Sequence, residues 1–265
     1  MSSTDLVKQS ETLGFLKSRP LILYAFATTM FVSALMLFSV QPMFAKMVVP
    51  KLGGSPSVWA VAMCFFQAVL LMGYCYAHLL TRFLGSRTAI FTHLGVCLMA
   101  FAFLPLGLAT GWETPPTENT QIWLLGLFFM SVGWPFFAVS ANAPLLQAWF
   151  ARTGHPHAGD PYFLYGASNI GSMVALLGYP IIIEPIFGLS DQSVTWAAGF
   201  ALLISLISLA AILLLSNETN DATEGKKAVS APAIAAPTWS DRAIWIALAF
   251  IPSGLLVAFT THITT

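Results

Sequence analysis

The sequence predicts an all-α membrane protein, a bundle of helices that each cross a lipid bilayer. First, 57% of the 265 residues are hydrophobic and 8% are charged, whereas a soluble globular domain carries about 25% charged residues. Second, the apolar residues form six long stretches and a seventh that runs almost to the last residue. A helix needs about 20 apolar residues to cross a hydrocarbon core roughly 30 Å thick. The predicted fold class is therefore a polytopic bundle of six transmembrane helices, with a seventh at the C-terminus.

Short loops separate the six predicted transmembrane helices. The fifth begins after Asp160-Pro161, because Asp is a favoured N-cap and Pro is favoured at the first helical position. Pro135 and Pro144 lie inside the fourth, where the missing backbone donor of proline predicts kinks. In chain order the six helices are predicted at 21–44, 58–80, 88–110, 122–150, 162–183 and 194–216.

A polar segment separates the sixth helix from the seventh. It reads NETNDATEGKKAVSAPAIAAPTW, without apolar periodicity, which is typical of a flexible linker. The seventh stretch begins near Ala243 and is still apolar at Ile263, without a basic flank or polar tail, so we expect the sequence to stop inside a longer protein. The predicted organisation is a cytoplasmic N-terminal segment (1–20), a six-helix transmembrane domain (21–216), a cytoplasmic linker (217–239) and an incomplete second membrane segment (240–265).

The basic residues predict the orientation in the membrane, because Lys and Arg concentrate on cytoplasmic loops. With the N-terminus in the cytoplasm, only Lys46 and Lys51 of the 11 basic residues lie outside. The opposite orientation would invert this ratio, so we expect a cytoplasmic N-terminus. The residues then on the cytoplasmic side are Lys8, Lys17, Arg19, Arg82, Arg87, Arg152, Lys226, Lys227 and Arg242.

Few polar side chains fall inside the predicted helices. Gln41, Gln67, Asn142 and Asn169 do so, and a polar group in hydrocarbon costs free energy unless it faces protein or water. One interpretation is hydrogen bonding between helices, worth about 0.6 kcal/mol on average. The other is that the four amides line one substrate cavity, with Glu184, at the end of the fifth helix, near its mouth.

Small residues recur on one face of the fifth helix. Ala167, Gly171 and Ala175 are spaced every four residues, and small residues at this spacing let the backbone of another helix come close. We therefore predict that this face packs against a neighbouring helix.

The sequence contains no recognisable catalytic motif. It lacks a phosphate-binding glycine loop, HExxH and GxSxG, and its three cysteines have no metal-ligand spacing. A haem between His78 and His93 is conceivable, but isolated histidines near helix ends are far commoner. We expect no catalytic residue, no metal site and no cofactor within these 265 residues.

Three segments resemble one family of bacterial membrane proteins, the fused major-facilitator/spermidine synthases. The first reads SVQPMFAKMVVPKLGGSPSVWAVAMCFFQAVLLMGYCYAH (39–78), the second runs over 131–162 and contains SVGWPFFAVSANAPLLQAWFA, and the third reads YGASNIGSMVALLGYPIIIEPIFG (165–188). The resemblance implies a major-facilitator-like N-terminal half in a bacterial inner membrane, with an aminopropyltransferase domain later in the chain. That domain is not in this sequence, so whether the full protein is an enzyme stays open. The loop TRFLGSR (81–87) resembles the major-facilitator loop between the second and third helices but lacks its acidic residue.

Two functions follow as expectations. The first is a transporter-like membrane region that handles polyamines or another small cation, which the six helices and the linker favour. The second is a non-transporting accessory or scaffold subunit of a larger membrane complex, which the sparse intramembrane charge favours. Expected partners are membrane lipids and other membrane subunits, and no nucleic acid.

Overall fold

The computed structural model describes residues 3–52, 56–112, 114–116, 118–224 and 238–264, which form helices joined by short connections. These residues contain no β-strand, so the all-α prediction is confirmed for them. The helices of the described chain are α1 (Ser3–Leu52), α2 (Pro56–Phe83), α3 (Ser86–Phe101), α4 (Thr120–Phe150), α5 (Tyr162–Ile186), α6 (Leu189–Glu224) and α7 (Trp239–Thr264).

Five helices of the described chain are long and apolar enough to cross a membrane. They correspond to the first, second, fourth, fifth and sixth predicted spans, and their length and composition are compatible with an integral membrane protein. The apolar segments run over Pro20–Lys51, Ser57–Phe83, Thr120–Phe150, Tyr162–Ile186 and Leu189–Asn217.

The third predicted span is helical over only part of its length. A helix was expected over 88–110, whereas α3 ends at Phe101 after 16 residues. At 1.5 Å per residue, α3 is about 24 Å long, short of the roughly 30 Å hydrocarbon core. Pro105, four residues later, has no backbone N–H and cannot continue a helical hydrogen-bond ladder. The count of six spans therefore stays a prediction.

The chain divides into two compact units, Met1–Thr223 and Glu224–Thr265. The predicted linker starts later than expected, because α6 continues to Glu224. Residues 225–237, with the two linker lysines, lie outside the described residues.

In the second unit, α7 begins with reciprocal hydrogen bonds between Thr238 and Asp241. The N–H and Oγ1 of Thr238 donate to Oδ2 of Asp241 at 2.8 and 2.7 Å, and the N–H of Asp241 donates back to Oγ1. This capping box satisfies backbone donors at the helix start, and the same bonds lower the pKa of Asp241.

The fourth helix is interrupted near both of the prolines predicted to kink it. A π-helical turn, Phe129–Gly133, precedes Pro135, and the helix breaks at Ala141, three residues before Pro144. A proline ring clashes with the carbonyl four residues earlier, and a π turn or a break removes the regular bond at that point. The helix therefore crosses the bundle in three short segments.

Aromatic side chains fill the interior between α1, α2 and α4. The ring of Phe128 lies 5.1 Å from that of Phe44 and 5.3 Å from that of Phe65, and the rings of Phe66 and Phe136 are 4.8 Å apart. Offset and edge-to-face pairs at these distances add stability beyond the burial of apolar area. They fix α4 against the first two helices.

Polar contacts mark the two ends of the first unit. At one end, Nζ of Lys46 lies 2.7 Å from Oε1 of Glu184, so α1 and α5 finish together. At the other end, the guanidinium of Arg152 donates to the carbonyl of Thr81 at 2.9 Å and to Oγ of Ser86 at 3.2 Å. The helices α1 and α5 therefore end on the same side of the first unit and are parallel. The helices α2 and α4 end on the other side and run in the opposite direction.

Candidate functional site

A cavity of about 350 Å³ lies between α1, α2, α4 and α5. Half of the residues that line it are polar, and none of these described lining residues is charged. The apolar lining includes Met30, Leu37 and Phe38 of α1 and Leu70 of α2. The polar lining consists of Ser33, Tyr74, Ser140, Gln147, Tyr165, Ser168, Asn169 and Ser172.

One face of α5 supplies half of these polar groups. Tyr165, Ser168, Asn169 and Ser172 follow one another at spacings of three, one and three residues. Residues three and four apart share a helix face, so these four side chains project in one direction. The regular geometry of α5 therefore creates a continuous polar wall.

The hydroxyls of two lining serines are held by their own helices. Oγ of Ser140 donates to the carbonyl of Phe137 at 2.7 Å, and Oγ of Ser172 donates to the carbonyl of Asn169 at 2.9 Å. Each of these oxygens then offers lone pairs to the cavity. The amides of Gln147 and Asn169 carry both donors and acceptors, so the wall can bind either kind of group.

Asn142 lies directly behind the cavity wall. Its Nδ2 donates to Oγ of Ser33 at 3.0 Å, and its Oδ1 lies 2.7 Å from Nε2 of His93. Both Asn142 and His93 are 1% exposed. The amide thus connects α3, α4 and α1 by hydrogen bonds in the interior.

The structure does not bring the predicted cavity residues together as expected. Asn169 lines the cavity and Asn142 touches its wall, while Gln41, Gln67 and Glu184 are outside its lining. Gln67 is exposed and Gln41 is half-buried. The sequence shows that a residue lies within a helix, but the direction of its side chain depends on how each helix is rotated in the bundle.

The two outlying glutamines lie towards the same end of the bundle. Gln41 is one turn beyond Phe38 along α1, in the direction of Lys46, and Gln67 is one turn before Leu70 along α2. Since α1 and α2 run in opposite directions, both offsets point to the end that carries Lys46 and Glu184.

Glu184 forms an ion pair that the sequence did not reveal. The side chains of Glu184 and Lys46 are 42% and 41% exposed. An exposed pair of this kind contributes about 0–1 kcal/mol. The ion pair joins the ends of α1 and α5, and the carboxylate of Glu184 already has the ammonium group of Lys46 as its partner.

The small-residue face of α5 lies against α1. A Cβ built on Gly171 would overlap the carbonyl oxygen of Phe31 and lie 3.2 Å from Cβ of Ala34. Ala175 is buried and Ala167 is partly buried. The two backbones lie close together at Gly171, where a side chain would not fit.

Several lining residues were not singled out in the sequence, among them Ser33, Tyr74, Ser140, Gln147 and Tyr165. The polar recurrence along α5 was the signal available for Tyr165. The other four lie singly in apolar helices, and no local pattern distinguishes them from serines and aromatics that face a neighbouring helix.

Comparisons of the chain with protein-family models, with curated proteins and with solved structures find no match. The candidate site therefore rests on the geometry of the cavity and on the chemistry of its lining.

Proposed function

We propose that the first unit is the transporter-like membrane domain of a larger protein and that its cavity binds a small solute. The observation that carries this proposal is the cavity itself, half polar in its lining and set between apolar helices. Polar groups that face an apolar surrounding are costly unless they are hydrogen-bonded. A cavity of about 350 Å³ lies at the lower end of the range for small-molecule sites.

We further propose that the solute is polar and uncharged. The described lining offers hydroxyls and amides but no carboxylate, and a buried charge without a partner is strongly unfavourable. A polyamine, with several positive charges, would need carboxylates that converge on it. Glu184 is paired with Lys46 at the end of the bundle, so the cavity fits an uncharged solute better than the small cation suggested by the sequence.

The family resemblance supports a wider proposal. In a fused major-facilitator/spermidine synthase, this membrane region would be joined to an aminopropyltransferase domain, and the N-terminus would lie in the cytoplasm of a bacterium. The complete reading frame tests this proposal directly, because such a domain would appear as an α/β sequence after the membrane segments. A reading frame that continues only with further membrane helices would contradict the proposed aminopropyltransferase domain.

The accessory-subunit alternative is supported by the large apolar side chains on the outer surface. Leu71, Ile170, Met173 and Leu177 are each more than half exposed, and both lipid and a partner subunit can cover such a surface. Purification in mild detergent distinguishes the accessory subunit from the solute-binding domain. A stable complex with a defined second membrane protein would favour the scaffold, whereas a chain with bound lipid alone would favour the solute-binding domain.

A thermal-shift screen on the purified protein tests the solute class. Polyols, monosaccharides and small amides would represent uncharged solutes, and spermidine would represent polyamines. A ligand at 100 times its Kd stabilises the folded state by about 2.7 kcal/mol, which gives a measurable rise in Tm. We expect an uncharged solute to raise the Tm of the wild-type protein and of Gln67→Ala, whose amide lies outside the cavity lining.

The same solute should fail to raise the Tm of Asn169→Ala, because Asn169 supplies a donor and an acceptor to the wall. A rise in Tm that is equal in Asn169→Ala and Gln67→Ala would place the binding site outside this cavity. A shift given by spermidine and by none of the uncharged solutes would overturn the proposed solute class.

A further inference from the structure

Three buried polar atoms without a hydrogen-bond partner in the described chain belong to side chains around His93. They are Nδ1 of His93, the hydroxyl of Tyr76 and Nε1 of Trp149. The ring centroid of His93 lies 6.0 Å from that of Tyr76 and 6.3 Å from that of Trp149. The three side chains come from α3, α2 and α4, and the ring of His93 neighbours each of the other two.

The contact with Asn142 determines which nitrogen of His93 carries the proton. Oδ1 of Asn142 only accepts, so Nε2 of His93, 2.7 Å away, must carry a proton and donate. A neutral imidazole has one N–H, and its other nitrogen is an acceptor. Nδ1 of His93 is therefore an acceptor, while the hydroxyl of Tyr76 can donate and the indole of Trp149 can only donate.

We propose that His93, Tyr76 and Trp149 form a binding site for one internal water molecule. The water accepts hydrogen bonds from Tyr76 and Trp149 and donates one to Nδ1 of His93. Three hydrogen bonds are the usual number for a buried water, and such waters occupy sites where buried polar groups would otherwise be unpaired. No other small molecule is needed, because water alone supplies two acceptor sites and a donor.

The proposed water would begin a directed series of hydrogen bonds that ends at the cavity. The water donates to His93, His93 donates to Asn142, and Asn142 donates to Ser33. Because Oγ of Ser33 accepts from Asn142, its own proton is available to an acceptor atom in the cavity. This last step rests on the proposed function, whereas the water site does not.

The substitution Tyr76→Phe tests the water site through the sign of its effect. It removes only the hydroxyl. If the hydroxyl is bonded to a bound water, its loss lowers the Tm. If the hydroxyl is truly unpaired, its loss removes a desolvated polar group and leaves the Tm unchanged or raises it.

Two tyrosines give matched controls. The hydroxyl of Tyr179 is buried and donates to Oε1 of Gln192 at 2.9 Å, so Tyr179→Phe shows the fall in Tm when a satisfied hydroxyl is lost. Tyr162 is 76% exposed, and Tyr162→Phe should leave the Tm unchanged. We expect Tyr76→Phe to resemble Tyr179→Phe, and an unchanged or raised Tm would overturn the proposal.

A second measurement needs no substitution at Tyr76. In wild-type protein that carries 15N-labelled histidine, the signal absent from His93→Gln identifies His93. We expect Nε2 to be protonated and Nδ1 to show the shift of a nitrogen that accepts a hydrogen bond. A protonated Nδ1, or a bare Nδ1 with no hydrogen bond, would contradict the water site even if Tyr76→Phe did not fold.

Discussion

Asn142 joins three helices through hydrogen bonds in the interior. It accepts from His93 of α3 and donates to Ser33 of α1 while sitting on α4. The amide is suited to this position because it carries an acceptor and a donor on the same planar group. Leucine carries no polar atom, so it could hold neither neighbour.

We predict that Asn142→Leu destabilises the first unit by about 1–3 kcal/mol. Hydrogen bonds between membrane helices contribute about 0.6 kcal/mol each on average, and a buried polar group left unpaired costs about 1–3 kcal/mol. The free energy of unfolding in a detergent–denaturant titration measures the change. Gln67→Leu is the control, because Gln67 is exposed, and a loss of equal size in both variants would argue against the role of Asn142.

At the scale of the element, α5 is held by the contact between its backbone and that of α1. Gly171 is buried against the carbonyl of Phe31, and small residues allow membrane helices this kind of approach. Gly166 lies on the same helix, yet a Cβ built there meets nothing within 4 Å. The two glycines therefore differ in their surroundings: Gly171 faces the backbone of α1, and Gly166 faces open space.

The substitutions Gly171→Ala and Gly166→Ala should therefore have different effects on the Tm. The added methyl group at Gly171 collides with a backbone that belongs to another helix, so α1 and α5 must separate and the Tm falls. At Gly166 the methyl group enters open space, and alanine favours a helix over glycine by up to about 1 kcal/mol, so the Tm is unchanged or rises. Equal rises in both variants would mean that helix propensity, not packing, dominates, and equal falls would argue against a specific contact at Gly171.

The helices were predictable from the sequence to different extents. The apolar length of α1, α2, α4, α5 and α6 is a local property, and these five agree with their predicted positions. The early end of α3 was not predicted, because its apolar stretch continues past Pro105 without a charge. The continuation of α6 into the polar linker was also missed, since the linker contains residues that tolerate a helix.

The candidate site was less predictable than the helices. Asn169 and Asn142 were recognised as amides in apolar surroundings, and both lie at the cavity or its wall. Gln41 and Gln67 gave the same signal in the sequence but lie outside the lining. The difference is the rotation of each helix about its axis, which is decided by packing with helices that are distant along the chain.

At the scale of the whole first unit, its two ends differ in charge. One end carries the pair of Lys46 and Glu184, and the other carries Arg82, Arg87 and Arg152 around the connection between α2 and α3. Because Lys and Arg concentrate on the cytoplasmic side of a membrane, the arginine end is the proposed cytoplasmic end.

Labelling of single cysteines checks this orientation. In a background without Cys64, Cys75 and Cys97, we predict that Glu118→Cys reacts with a membrane-impermeant maleimide added outside intact cells. Arg87→Cys should react only after the cells are opened. Both positions are exposed, so access and not burial decides the result. The reverse pattern would invert the proposed topology.

The three faces of α5 also determine which substitutions the helix can accept over many generations. Each face occupies a separate sector of about 60–100° at 3.6 residues per turn. The sectors hold small residues at 167, 171 and 175, polar residues at 165, 168, 169 and 172, and exposed apolar residues at 170, 173 and 177. In a library of all single substitutions, positions 167 and 175 of the first sector should retain only Gly, Ala and Ser, and position 171 should retain only Gly. The second should retain hydrogen-bonding side chains, and the third should accept most large apolar residues. Neighbouring positions such as 169 and 170 would then have unrelated mutational spectra, while positions four residues apart such as 173 and 177 would share one.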